Sequence, residues 1–186
     1  MRTDSELYNS FLSGENAAYD ELMIRHGDAL TAFLNGYVHN PEDAEDLMIE
    51  AFARIMIKKP QIGEDKFKAY LYKTGRNLVT RFHFRRTRLE VFSIEELEAE
   101  PADGSGPAEL FSDKNRKETL HRCMDRLDPQ VREALWLVYF ENMSYAEAAE
   151  VMRINTKRVD HLLQRGKQNL RTELEKEGIT ELWDIL

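Results

Sequence analysis

Apolar residues recur at steps of three and four along most of the chain, the period of helices that bury one face. The first such stripe is Leu22, His26, Ala29, Phe33 and Tyr37. A second helix is announced by Asn40 as N-cap, Pro41 at the first helical position, and Glu42 and Asp43 where the positive end of the helix dipole favours acids. Its apolar stripe is Ala44, Leu47, Ala51 and Ile55. After the breakers Pro60 and Gly63, the spacing of Phe67, Leu71, Leu78 and Phe82 predicts a third helix from about Phe67 to beyond Phe82. These three are expected to form one bundle, and the alternation that marks strands is weak throughout.

The pattern breaks between Ser93 and Ser112, where Pro101, Gly104, Ser105, Gly106 and Pro107 lie among acids, so this stretch is read as an extended linker. Periodicity then resumes through Leu120 and Met124, restarts at Asp128 and Pro129, and restarts again at Ser144 with Glu147 three residues on, a capping box. Ala148, Ala149 and Met152 belong to the helix opened there. Asn155 suits the cap of a last helix with Val159, Leu163, Gly166 and Leu170 on one face. The expected fold is all-α: two small helical domains, residues 1–92 and 113–186, joined by an acidic flexible linker over 93–112, the second a helix-turn-helix. No internal repeat is visible.

Composition narrows the class. Hydrophobic residues make up 42% and charged residues 32%, which suits a globular protein, and no apolar run approaches the roughly 18 residues of a membrane span. The first residues resemble no secretory signal, so the chain is read as cytoplasmic and not inserted in a membrane. The lone Cys123 cannot form an internal disulfide and has no cysteine near His121 to complete a metal site. No cluster pairs a nucleophile with a base, so neither catalytic residue, metal nor cofactor is called for. A net charge of −8 argues against indiscriminate nucleic-acid binding, yet the charge is segregated. Lys66 to Arg88 is free of acids among eight cations, Arg153 to Arg171 is basic apart from Asp160, and the stretch from Glu95 to Asp113 holds acids only.

The basic blocks carry the candidate chemistry. Between Ser144 and Leu170, small Ala149 in one helix and Val159 ten residues later fit a helix-turn-helix. With the apolar face turned inward, Lys157, Arg158, His161, Gln164 and Arg165 face outward, a surface suited to duplex DNA or, on composition alone, an ordinary solvated face. Arg153 occupies the turn position where glycine is usual, at a cost on the order of 1 kcal/mol if left-handed. The earlier block interleaves aromatics with cations, including Tyr70, Lys73, Arg76, Arg85 and Arg86, which supplies stacking surfaces and phosphate contacts for separated strands. Phe67 and Phe82 fit the core instead, and Asn77 either reads an unstacked base or decorates a helix surface.

The run from Asn40 to Phe52, NPEDAEDLMIEAF, followed by Phe67 to Leu78, FKAYLYKTGRNL, resembles the core-binding and promoter-melting segments of extracytoplasmic-function sigma factors of bacterial RNA polymerase. Leu127 to Glu133, LDPQVRE, and Tyr139 to Met152, YFENMSYAEAAEVM, are similar to the same family's carboxy-terminal helix-turn-helix domain. The resemblance covers about residues 14–174; the tail 175–186 matches no part of it.

The resemblance implies a non-enzymatic subunit whose partners are the core polymerase, through its clamp coiled coil and flap, and promoter DNA, with an anti-sigma protein as a further candidate. Glu42, Asp43, Glu45, Asp46, Leu47, Glu50 and Phe52 would lie on the surface that docks on the clamp. Tyr70, Lys73, Arg76, Asn77, Arg85 and Arg86 would hold the melted element, with Tyr70 where tryptophan is usual and Asn77 at the base-capturing position. Lys157, Arg158, His161, Gln164 and Arg165 would read the upstream duplex. Arg81, Lys157, Arg158 and Asp160 depart from the family's usual residues, which bears on the promoter sequence that is read. Two other readings of the same residues are a stand-alone helix-turn-helix regulator, which would shift DNA by itself as a dimer on paired half-sites, and an all-helical adaptor that binds only protein.

Overall fold

Thr3 and Glu6 close the first helix with a reciprocal capping box, a signal the hydrophobic pattern alone does not reveal. The computed structural model describes residues 1–92 and 113–179, and among them every regular element is helical. The linker expected over 93–112 and the end of the tail lie outside the described residues. Helix α1 spans Asp4–Leu12, α2 Asn16–Val38, α3 Pro41–Lys58 and α4 Phe67–Phe92. In the C-terminal half, α5 spans Asp113–Asp125, α6 Pro129–Leu135, α7 Tyr145–Met152 and α8 Thr156–Lys176, with a single π-helical turn at Trp136–Phe140 after α6.

The N-terminal half is a four-helix cluster rather than the three expected. Nine-residue α1 buries Leu7, Tyr8 and Phe11 against α2 and α4, with the Tyr8 and Phe67 rings 5.3 Å apart. Its entry is pinned by Asp4, which accepts hydrogen bonds from Arg25 (2.6 Å) and pairs with His26 Nε2 (2.7 Å). Asn40 caps α3 as expected, its Oδ1 accepting from the Asp43 N–H at 3.0 Å. The inward stripe of α3 is Ala44, Leu47, Ala51, Phe52 and Ile55, and Tyr19 donates to the Phe52 carbonyl at 2.6 Å across the core.

The second half is organised by α8, against which α5, α6 and α7 pack. The approach to α6 is close: a Cβ at Gly166 would lie 3.0 Å from carbons of Leu135 and Val131. Asp128 caps α6, Ser144 and Glu147 form the capping box of α7, and Asn155 Oδ1 accepts from the Arg158 N–H at 2.8 Å to open α8. Between α7 and α8 the chain turns at Arg153, left-handed at φ 57° and ψ 43°. The two halves touch where α4 runs beside α7.

Candidate nucleic-acid interface

The α7–turn–α8 unit presents one face of α8 to solvent. Ala149, Val159, Leu162 and Leu163 are buried, whereas Lys157, Arg158, His161, Gln164 and Arg165 are all exposed. Gln164 is held from within the helix, its amide donating to Asp160 Oδ2 at 3.0 Å. Neither Arg158 nor Arg165 has an ion-pair partner among the described residues, so Lys157, Arg158, Gln164 and Arg165 line one accessible stripe together with the His161 imidazole. A solvent-facing cationic stripe on the second helix of such a unit has the chemistry of a phosphate and base-edge reader.

Helix α4 carries the second candidate surface, and the structure sorts its aromatics. Phe67 and Tyr72 are in the core, Phe82 is half-buried against it, and Tyr70 is half-buried at its edge. Asn77 is half-exposed and its amide makes no hydrogen bond among the described residues. Arg85 is exposed, as is Arg86. Lys73 and Arg76 are both engaged by carboxylates of the C-terminal half. Lys73 Nζ lies 3.0 Å from Glu150, and Arg76 Nε donates to Glu133 Oε1 at 2.5 Å. Just upstream, Lys68 Nζ lies 2.8 Å from Glu141 Oε2 and also donates to the Glu141 carbonyl at 2.7 Å, while Lys66 reaches Glu147 at 3.3 Å.

These carboxylates are the part of the site that sequence reading missed, because nothing local names a partner 57 to 81 residues away. Glu133 is 4% exposed, and burial pushes its carboxyl above the usual range despite the pull of Arg76. For Glu147 burial also pushes up, but the Ser144 cap and Lys66 together hold its carboxyl below that range. Glu141 follows the π turn, whose Trp136 and Phe140 rings stack at 4.9 Å, and it accepts from the Trp136 indole N–H at 3.2 Å. The buried Tyr37 and Tyr72 hydroxyls lie beside Glu133 and Glu141, and burial raises both phenols far above their ordinary value.

On α3 the expected docking surface needs correction. Glu42, Glu45 and Asp46 are exposed, Asp43 and Glu50 are half-exposed, but Leu47 and Phe52 are 6% and 1% exposed. Both point into the bundle because they share the inward stripe with Ala44, Ala51 and Ile55, so neither is an apolar anchor on the outside. Exposed apolar groups on this helix are Ile49, Met56 and Ile57 instead. Glu50 accepts two hydrogen bonds from Arg54 one turn on. Among the described residues no three potential ligands gather as a metal site, and no helix is long and apolar enough to cross a membrane.

The fold and the α7–α8 unit define an all-helical, helix-turn-helix protein. Residues 22–89 match Sigma-70 region 2 and residues 117–170 match Sigma-70, region 4, in that order. The chain is 31% identical over 162 residues to the RNA polymerase sigma-E factor of Streptomyces coelicolor, covering 87% of this chain and 88% of that one. It is 26% identical to the RNA polymerase sigma factor NccH of Alcaligenes xylosoxydans xylosoxydans, covering 95% and 97%. It is also 29% identical to the ECF RNA polymerase sigma factor SigE of Mycolicibacterium smegmatis, where it covers 88% of this chain and spans 65% of the relative's length. Among solved structures, CnrH in complex with the cytosolic domain of CnrY shares the fold at a TM-score of 0.64 and 24% identity, over 93% of this chain and 97% of that one. The chain belongs to the extracytoplasmic-function sigma factors of RNA polymerase.

Proposed function

We propose that the chain is a non-enzymatic specificity subunit of the cytoplasm that docks on core RNA polymerase, reads an upstream duplex element and stabilises opened bases near the start site. Residues 1–92 form the docking and melting domain, 93–112 the connector and 113–186 the duplex-reading domain. Core docking falls to the exposed acids of α3, Glu42, Asp43, Glu45, Asp46 and Glu50, whose charge suits a basic partner such as the clamp coiled coil, and the flap is the natural partner of the second domain. Melted DNA falls to α4, with Tyr70 as a stacking surface, Lys73, Arg76, Arg85 and Arg86 as phosphate contacts, and Asn77 as the reader of one unstacked base. The duplex falls to Lys157, Arg158, His161, Gln164 and Arg165.

The observation that carries this reading is the pair of matched regions in the right order, with the solvent-facing cationic stripe of α8 in the second. The sigma factor RpoE of Bartonella quintana is seen in complex with the anti-sigma factor NepR, and CnrH with the cytosolic domain of CnrY, so an anti-sigma partner is part of the proposal. The test is retardation of promoter DNA with and without core polymerase. A shift that requires core supports the reading, whereas a shift by the chain alone, as a dimer on paired half-sites, turns it to a stand-alone regulator.

A further inference from the structure

At the C-terminal end of α2 lies a cavity of about 290 Å³, lined by none of the residues assigned above to core docking or to DNA. Its walls are Phe33, Asn35 and His39 on one side and His121, Met124 and Trp136 on the other. The charges of the wall are matched in pairs, Arg132 with Asp125 at 3.2 Å and Glu133 with Arg76. What is left over is neutral. The Asn35 amide makes no hydrogen bond among the described residues, although its Oδ1 is buried. A buried acceptor without a partner is costly, and folded proteins keep few of them. Trp136 is half-exposed yet fixed: Phe140 stacks on its ring at 4.9 Å and Glu141 accepts from its N–H at 3.2 Å. The π turn that carries it is an element that recurs at functional sites.

We infer that this cavity binds an adenine nucleoside or its nucleotide, with the base stacked on Trp136 and its edge paired with the Asn35 amide. The size fits. At about 30 Å³ of liquid volume per water, the cavity holds on the order of ten waters, which is room for a bicyclic base with its sugar and too much for one bridging water. An amide sets one acceptor beside one donor, the complement of the amino group and adjacent ring nitrogen of adenine. A rigid indole is a platform on which a base stacks, and its fixed position lowers the cost of binding. Because the charges of the wall are already paired, a neutral ring enters without leaving an ion uncompensated. The imidazoles of His39 and His121 are exposed at the rim, where the sugar or a phosphate would lie.

The test is isothermal titration calorimetry of the full chain, without core polymerase, against adenosine and adenosine 5′-monophosphate, with guanosine and cytidine for comparison. Adenosine or its monophosphate should bind as a single equivalent with a dissociation constant of about 0.1 mM or below, and the tighter of the two identifies the ligand as nucleoside or nucleotide. Guanosine and cytidine should bind at least about tenfold more weakly. Asn35→Ala should weaken binding about tenfold or more, while its midpoint in urea stays at or above that of the parent, because the unpaired acceptor goes with the side chain. Ala32→Phe obstructs the cavity from an exposed rim position on α2, so it threatens no buried packing, and should weaken binding about tenfold as well. Lys58→Ala, exposed at the end of α3 and outside the cavity, should stay within about twofold of the parent. No saturable binding up to about 1 mM, or binding that Asn35→Ala and Ala32→Phe both leave unchanged, overturns the site. A lowered urea midpoint in Asn35→Ala makes Asn35 a structural residue and overturns its role, and equal affinity for guanosine or cytidine overturns the assignment of adenine.

Discussion

Replacing Arg153 by glycine should stabilise the protein, and the structure sets the size of the gain. Arg153 ends α7 at φ 57° and ψ 43°, with its N–H donating to the Ala149 carbonyl. A residue with a Cβ costs about 1–2 kcal/mol in this region, because Cβ crowds the carbonyl oxygen. The Arg153 side chain is exposed and makes no hydrogen bond or ion pair among the described residues, so no such contact is lost with it. Glycine makes the unfolded chain more flexible, which takes back roughly 0.4–1 kcal/mol. The net expectation is a gain of about 0.5–1 kcal/mol, since the relief of left-handed strain exceeds the entropy cost. In urea unfolding followed by far-ultraviolet circular dichroism, with a slope of about 2 kcal/mol per molar, the midpoint should rise by about 0.3–0.5 M. Arg153→Ala keeps the Cβ and should stay within about 0.5 kcal/mol of the parent. An equal gain in both variants, or none in the glycine variant, refutes backbone strain as the cause.

Charge reversal at Asp46 and Glu50 should weaken affinity for core polymerase by about tenfold with helicity preserved, as like charges meet at a polar rim; titration of labelled chain with core at moderate salt checks it. Asn77→Ala should cost roughly 1–3 kcal/mol at one promoter position and leave the ranking elsewhere intact, read by permanganate footprints on promoters carrying each of the four bases there. Asp4→Asn should lose about 1–2 kcal/mol at neutral pH, since Asp4 holds both Arg25 and His26 from a half-exposed site. Burial alone would raise the Asp4 carboxyl, but His26 and Arg25 together hold it below its ordinary value of 3.8. Its contribution is therefore present above pH 3.8 and fades as pH falls through the lower folded value, so parent and variant should converge in acid unfolding.

What could be read from the sequence was what is encoded locally. The caps at Asn40, Ser144 and Asn155, the inward stripe of α8 and the outward set from Lys157 to Arg165 all follow from neighbours within a turn or two, and the structure has each of them. Helix α1 had a legible capping box at Thr3 and Glu6 but is too short for periodicity to single out. Leu47 shows two cues in conflict. Its place on the stripe with Ala44 and Ala51 pointed inward, family resemblance pointed outward, and packing followed the stripe. The π turn at Trp136–Phe140 and the seam from Lys66 to Arg76 depend on tertiary contact, so no local pattern announces them.

The most direct measurement is multi-promoter transcription in vitro with purified core polymerase, with and without the chain. A sigma factor predicts a discrete set of promoters that initiate only when the chain is added. Arg158→Ala with Arg165→Ala should then reduce initiation on duplex templates more than on templates already unpaired near the start site. Core polymerase that gains no promoter-selective initiation from the chain would contradict the account.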